Sequence, residues 1–246
     1  MNRRLRYLVF GLGAAGLAVL FALALAGLPG FGGDSHPYRD RAVRAALAHH
    51  TANVVSSINF DQRALDTFGE ELILLGSVVG AAALLRPSRR EGERPAPDPE
   101  ARAVPDSVVL LCTVMLPVTV LVGLDVIAHG QLSPGGGFQG GVVLATGLHL
   151  LFLGGRYPAL QRIRPLTGYQ FAESVGVATF ATLGLAGLAA GGAFLANVLP
   201  YGRFASLASA GTVPVLSLAV GVAVGGGVVV LLAQFLEQAL RYSGEE

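Results

Sequence analysis

Short stretches of an otherwise oily chain carry groups able to bind or relay a cation. Asp125 and His129 stand four residues apart, which on a helix stacks them on one face. They directly precede the break His129-Gly-Gln-Leu-Ser-Pro-Gly-Gly-Gly-Phe-Gln-Gly-Gly141. Asp125 follows Val-Leu-Val-Gly-Leu at the C-terminal end of an apolar helix, where the helix dipole opposes a negative charge. Such a carboxyl needs a partner or a bound proton, the property that a proton or cation relay exploits. The plainer alternative is an acid already in the outer headgroup layer, with His129 an ordinary interfacial histidine.

A second acidic stretch is Asp66-Thr-Phe-Gly-Glu-Glu71. Read as a helix start it is a capping box, with Thr67 as N-cap and Glu70 three residues on. Read for depth, Glu70 lies about 22 Å above an inner boundary at Leu85, within a hydrocarbon layer about 30 Å thick. Ionisable groups at that depth are costly and face internal cavities. The residues leave both readings open for Glu70, while Glu71 points elsewhere and reads as interfacial. His149 is the third candidate, toward the inner end of its helix, with packing as its alternative role.

These residues must be positioned by membrane helices. Of 246 residues, 52% are hydrophobic and 13% charged, with mean hydropathy +0.60, which excludes an ordinary water-soluble domain. All the basic residues are arginine, and Cys112 is the lone cysteine. No phosphate-binding loop, no paired Cys/His metal spacing and no nucleophile–base constellation occurs, so an enzyme, a metal and a cofactor are not expected. A net charge of +1 says nothing about nucleic acid, but no clustered basic face with interleaved aromatics occurs, so a nucleic-acid partner is not expected.

The fold class expected is an all-α integral membrane protein with about six transmembrane helices. They run over about 5–28, 67–85, 104–128, 138–155, 169–190 and 213–236. The first span also imitates a secretory signal, but its apolar run is too long for one and it is read as retained. The Pro- and charge-rich residues 87–103 form a linker between a two-span unit (1–86) and a four-span unit (104–246). The stretch 38–60 reads as an external loop with a short amphipathic helix on the membrane surface.

Arginine placement orients the chain. Arg3, Arg4, Arg6, Arg86, Arg89, Arg90, Arg94, Arg102, Arg156, Arg162, Arg164 and Arg241 fall on one side. Only Arg39, Arg41, Arg44, Arg63 and Arg203 fall on the other. The positive-inside rule therefore puts both termini and the linker in the cytoplasm. Pro117 can kink the third span, and Pro214 suits the first turn of the sixth. The pairs Gly76/Gly80, Gly187/Gly191 and Gly221/Gly225 permit close helix packing.

Residues 108–153, with the His-Gly-x-Leu-Ser-Pro-Gly-Gly-Gly-Phe-Gln-Gly loop, resemble the B subunit (MnhB domain) of the multisubunit Mrp-type Na⁺/H⁺ antiporters. Leu199-Pro-Tyr-Gly and Ser209-Ala-Gly-Thr-Val-Pro are similar to that family's second half, so the likeness covers about 104–240. The front stretch from Asn53 to Glu71 resembles the C-terminal end of the large A subunit. Asp61, Arg63, Asp66, Thr67, Gly69 and Glu70 fit its pattern, and Glu71 departs from it where an apolar residue is usual. The chain is thus similar to a fusion of those two pieces.

The resemblance implies a multi-pass subunit of a bacterial inner-membrane complex, related to the membrane arm of complex I, that exchanges Na⁺ for H⁺. The implied partners are subunits of the A, C, D, E, F and G types together with the lipid bilayer. It further implies cation passage near Glu70; Asp66, Asp125, His129 and His149 are further ion-path candidates on the reading of the residues themselves. Ser133, Pro134, Gly135, Gly136, Gly137, Phe138, Gln139 and Gly140 are expected to form a structural turn. Two rival roles stay open: an assembly subunit without an ion path, and the same module in a hydrogenase-type or other redox-coupled complex. A self-sufficient transporter is the least expected role, because one lone acid per span and no internal repeat give little machinery for alternating access.

Overall fold

A backbone in hydrocarbon must satisfy its own hydrogen bonds, and a chain this apolar does so with helices. The computed structural model describes residues 3–28, 32–85, 104–155 and 166–242. The expected linker, with Arg86, Arg89, Arg90, Arg94 and Arg102, lies outside them, as do Arg156, Arg162, Arg164 and the side chain of Arg241.

The chain divides into two compact units, Met1–Asp40 and Arg41–Glu246. The first holds α1 (Arg3–Ala26), an apolar helix of 24 residues with no buried side chain. Helix α2 (Pro37–Ala48) begins at the unit boundary. In the second unit follow α3 (Val54–Ser57), a π-helical turn (Ile58–Gln62), α4 (Ala64–Leu84) and α5 (Asp106–Ala128). Then come α6 (Gly137–Leu153), α7 (Leu166–Ala189) and α8 (Val213–Tyr242). Among the described residues five helices are long and apolar enough to cross a membrane: α1, α4, α5, α7 and, over Val213–Leu236, α8. The 17-residue α6 is the shorter sixth, about 25 Å long at 1.5 Å per residue.

Helix α8 is the axis of the second unit, packing against α4, α5, α6 and α7. Small residues make this possible, because helices in lipid gain most by bringing backbones together. A Cβ on Gly137 would stand 2.7 Å from Gly221 N and 2.8 Å from Val220 Cβ. One on Gly141 would stand 2.9 Å from Val224 Cβ, and one on Gly176 2.7 Å from Ala223 Cβ. Helix α5 joins in where Gly140 meets Gly123 O, with 2.7 Å left for a Cβ. Of the glycine pairs singled out in the sequence, Gly76/Gly80 faces open space, whereas Gly221 packs under Ile127. Phe180 is fully buried at the outer end of this core, stacked on Phe68 at 5.5 Å, and Phe68 meets Phe194 at 5.8 Å.

The loops expected outside do share one side of the bundle and interlock there. Asn53 Nδ2 donates to Gly130 O and Ser133 O, both at 2.8 Å, and Gln131 Nε2 donates to Leu207 O at 2.7 Å. His50 Nδ1 lies 2.7 Å from Gly202 O. Helices α4 to α8 therefore alternate in direction.

Local readings need correction. The stretch 38–60 is not a helix lying on a membrane surface: from Ala42 onward it docks on protein, with Ala42, Ala46, Ser56, Ser57 and Phe60 buried. Its polar groups find partners in the neighbouring loops, and lipid offers none. Thr67 is not an N-cap. Helix α4 starts at Ala64, and the Thr67 hydroxyl donates back to Asn59 O at 2.7 Å across the π-helical turn. Asn53 is the capping residue of this region, accepting from Val55 N and Ser56 N. Glu71 is not interfacial: it is 1% exposed.

Gly137→Ala is expected to destabilise the purified chain by about 1–3 kcal/mol, the usual range for overpacking. Gly76→Ala, into open space on a helix, is expected to be neutral or stabilising by up to about 1 kcal/mol. Thermal unfolding of both variants in detergent checks the contrast.

Candidate functional site

Next to the signature loop lies a cavity of about 480 Å³ that is open on one side. One wall comes from α3, the π-helical turn and the head of α4, with Ser56, Asn59, Thr67 and Glu70. The other comes from the loop and the start of α6, with Gly135, Phe138 and Gln139. Local sequence explains this wall. Gly136 holds φ +130°, a conformation that side chains rarely adopt. From there its N–H reaches Val126 O at 3.0 Å while its carbonyl accepts from Gly140 N at 3.0 Å. The loop is thereby folded back on α5 as α6 begins, and Phe138 and Gln139 face Glu70 across the cavity.

The other sequence candidates fall in different places. Asp66 pairs with Arg63 in an exposed ion pair, worth little in water. Asp125 Oδ2 stands 3.2 Å from His129 Nδ1, with the acid's side chain 75% exposed on this chain. Neither lines the cavity, though His129 lies against the loop at Gly135. His149 is half-buried on α6, ten residues beyond Gln139 and so about 15 Å along the helix. Glu70 is the member that the structure brings to the loop.

Functional groups also stand where the sequence reading assigned none. Above the cavity, in the interlocked loops, His49 Nδ1 and Asp61 Oδ2 approach to 2.5 Å, and His49 stacks on Tyr201 at 4.4 Å. Asp61 is almost fully buried. Asn197 reaches Asp61 Oδ1 at 3.4 Å and brackets a tight turn, donating to Ala210 O and accepting from Thr212 N, both at 3.0 Å. That turn runs through Ala210 at φ +71°, a strained conformation which the bracket holds in place. Burial, and after it the charge of Asp61, pushes the Tyr201 hydroxyl above its ordinary value. Within the bundle Glu173 on α7 is 3% exposed. A lone acid in the apolar run Gln170-Phe-Ala-Glu-Ser-Val was the available signal for it. Glu71 and Glu173 each keep one carboxylate oxygen, Oε1, without a hydrogen-bond partner among the described residues.

Glu70 is the one acid among the residues lining the cavity, and among the described residues no three His, Cys, Asp or Glu side chains are grouped to hold a metal ion. The sequence profile of domains related to the MnhB subunit of Na⁺/H⁺ antiporters matches residues 108–230. An uncharacterised protein of Methanocaldococcus jannaschii is 28% identical over 202 residues, covering 74% of this chain and 76% of that protein. Among solved structures, the chain is similar to one chain of the membrane-bound sulfane sulfur reductase, an archaeal respiratory membrane complex. The TM-score is 0.68 at 27% identity, over 94% of this chain and 98% of that one. It also shares its fold with part of a chain of the Mrp complex from Dietzia sp. DQ12-45-1b. There the TM-score is 0.69 at 24% identity, over 95% of this chain and 26% of that one.

The native state prefers Tyr201 neutral, so this group's contribution is complete below the unfolded tyrosine value near 10 and is lost as pH rises through the higher folded value. Melting temperatures taken from pH 8 to 12 are therefore expected to fall less steeply in Tyr201→Phe than in the parent chain.

Proposed function

This chain belongs to the family of domains related to the MnhB subunit of Na⁺/H⁺ antiporters, and on that premise we propose that it admits a cation from the outer side through the cavity between Glu70 and the signature loop. It is a multi-pass membrane subunit of a cation/proton antiporter complex. The finer reading is that the ions are Na⁺ and H⁺ and that Glu70 is the group that meets them first. The observation that carries this reading is the cavity itself. Its lining joins Glu70, the acid that fits the front stretch's pattern, to Gly135, Phe138 and Gln139 of the signature loop and the start of α6. A loop serving only as a turn has no need to face an acid across about 480 Å³ of space.

The groups around Glu70 suit transfer better than storage. Glu70 is exposed on the isolated chain, so a neighbouring subunit can complete its surroundings, and Gln139, Asn59 and Thr67 offer neutral polar atoms. Asp66 is already held by Arg63 and serves the shape of the α4 head. The Asp125–His129 pair takes a secondary role at the rim. Bond-making chemistry has no place in this reading, in which the chain is a transporter subunit. The reading of 1–86 and 104–246 as two pieces joined by the linker 87–103 rests on the resemblance of 53–71 and of 104–240 to two different subunits and on the Pro- and charge-rich stretch between them.

A second reading is favoured by the near-complete coverage of the sulfane sulfur reductase chain. There the same module would move a cation in response to redox chemistry in partner subunits. The two readings separate in vesicles, because an antiporter runs from an imposed pH gradient alone.

Glu70→Gln in the assembled complex is expected to lower Na⁺/H⁺ exchange by at least about tenfold, the rate equivalent of roughly 1.4 kcal/mol. Subunit composition on native gels should be unchanged. Exchange at the parental rate in that variant rules out Glu70 as the ion group.

A further inference from the structure

The cavity wall that carries Asn59 and Phe60 is held from behind by a buried acid. Asp61 follows those two residues in the π-helical turn, and its side chain is 4% exposed. Its Oδ2 stands 2.5 Å from His49 Nδ1, and Asn197 Nδ2 reaches its Oδ1 at 3.4 Å. An amide in its place would meet the same partners without the cost of burying a charge. An acid adds what an amide lacks, a contact whose strength depends on the proton carried by its partner.

The chain is built to put a histidine at that point. Helix α2 closes with Thr51 N bonded to Ala46 O at 2.9 Å and His50 N to Leu47 O at 3.2 Å. This is the Schellman pattern, whose left-handed position ordinarily falls to glycine. Here that position is His50, at φ +54°, a strained conformation for a residue with a side chain. His50 Nδ1 holds it by donating to Gly202 O at 2.7 Å. His49 is thereby fixed at the C-terminal end of α2, where free carbonyls favour a cation. Its ring stacks on Tyr201.

The neighbouring elements bring few other titratable groups to the pair. From the loop 190–212 comes Tyr201, whose hydroxyl is pushed up by burial and then by Asp61, while Arg203 is exposed. On α2, Arg41 and Arg44 are exposed, and His50 turns to Gly202. On α4, Asp66 pairs with Arg63, and Glu70 lines the cavity. Helix α3 has no titratable residue, and α8 has none before Glu237. Arginine keeps its charge throughout, so His49 is the partner of Asp61 whose charge can change.

We propose that His49 and Asp61 are a proton-operated positioning pair for the cation entrance. With a proton on His49, the π-helical wall is clamped to the end of α2 and to the loop on which His49 stacks. Without it, the buried Asp61 charge faces a neutral ring, and the wall loosens toward water. Acid on the outer side therefore tightens the wall that carries Asn59 and Phe60, and alkali frees it. That this wall borders an entrance rests on the reading of Glu70, whereas the clamp itself does not.

Hydrogen exchange of the backbone amides of 54–62, in the full chain in lipid nanodiscs and corrected for the intrinsic effect of pH, tests the pair. Between about pH 5 and pH 8, where histidine changes charge, protection in the parent chain is expected to fall about tenfold, the gap between a charged and a neutral hydrogen bond. His49→Asn and Asp61→Asn keep a hydrogen-bonding group and remove the charge, so each is expected to abolish that fall. The double variant should behave as either single one does. A merely structural pair gives another pattern: protection indifferent to pH in the parent, and lowered equally at every pH in the variants. That pattern, or a fall that survives His49→Asn, overturns the proposal. If the variants fail to fold, nitrogen NMR of the parent chain's histidines decides. The His49 ring is then expected to change protonation together with the protection, and a ring that keeps one state throughout counts against the pair. Glu70→Gln is expected to keep the fall in protection. Normal ion exchange in that variant removes the role of Glu70 and leaves the clamp to stand or fall alone.

Discussion

Everything in the second unit depends on how closely the backbone of α8 is approached by its neighbours. At Gly137, Gly141, Gly176 and Gly221 there is no room even for a methyl group. In a solvent as apolar as the side chains, this contact between backbones replaces the hydrophobic drive that holds soluble bundles together. It also sets the register of α6 and α7 against one common surface. The signature loop and Glu173 are positioned through that surface, the first by the start of α6 and the second by the gap at Gly227, where a Cβ would stand 2.7 Å from Glu173 Oε1.

The acids occupy two different electrostatic settings. Glu70 opens onto a polar cavity and is left uncovered on one side. Glu71, next in the chain, turns about 100° around the helix into an interior where, among the described residues, no ion pair reaches it. Adjacent residues thus sample an environment that exchanges readily with water and one that does not.

Much of the fold was legible because hydrocarbon imposes a simple rule on the sequence. Apolar runs of about 20 residues became helices, and the loops assigned to the outer side lie together. The capping box misled because its spacing is also met one turn inside a helix, where Thr67 bonds back to a π-helical turn. Glu71 and Glu173 were misread or passed over because burial is decided between helices, and a single helix with acids at successive positions does not reveal which one faces inward. The docking of 41–63 was hidden for a similar reason. Asn53, Gln62 and Asp61 look like ordinary loop polarity until the carbonyls and side chains that satisfy them, far away in sequence, are in place.

The interlocked outer layer has a further consequence for biogenesis. Its bonds join residues 76, 77, 136 and 152 positions apart. The contacts from 41–63 to 190–212 cannot close until α7 has crossed the bilayer and 190–212 has followed it, and closing such long loops is slow. Until then the front segment waits with its donors and acceptors in water. The outer layer is therefore assembled late, and a chain truncated before α8 keeps its loop residues but lacks the helix against which α4, α5, α6 and α7 pack.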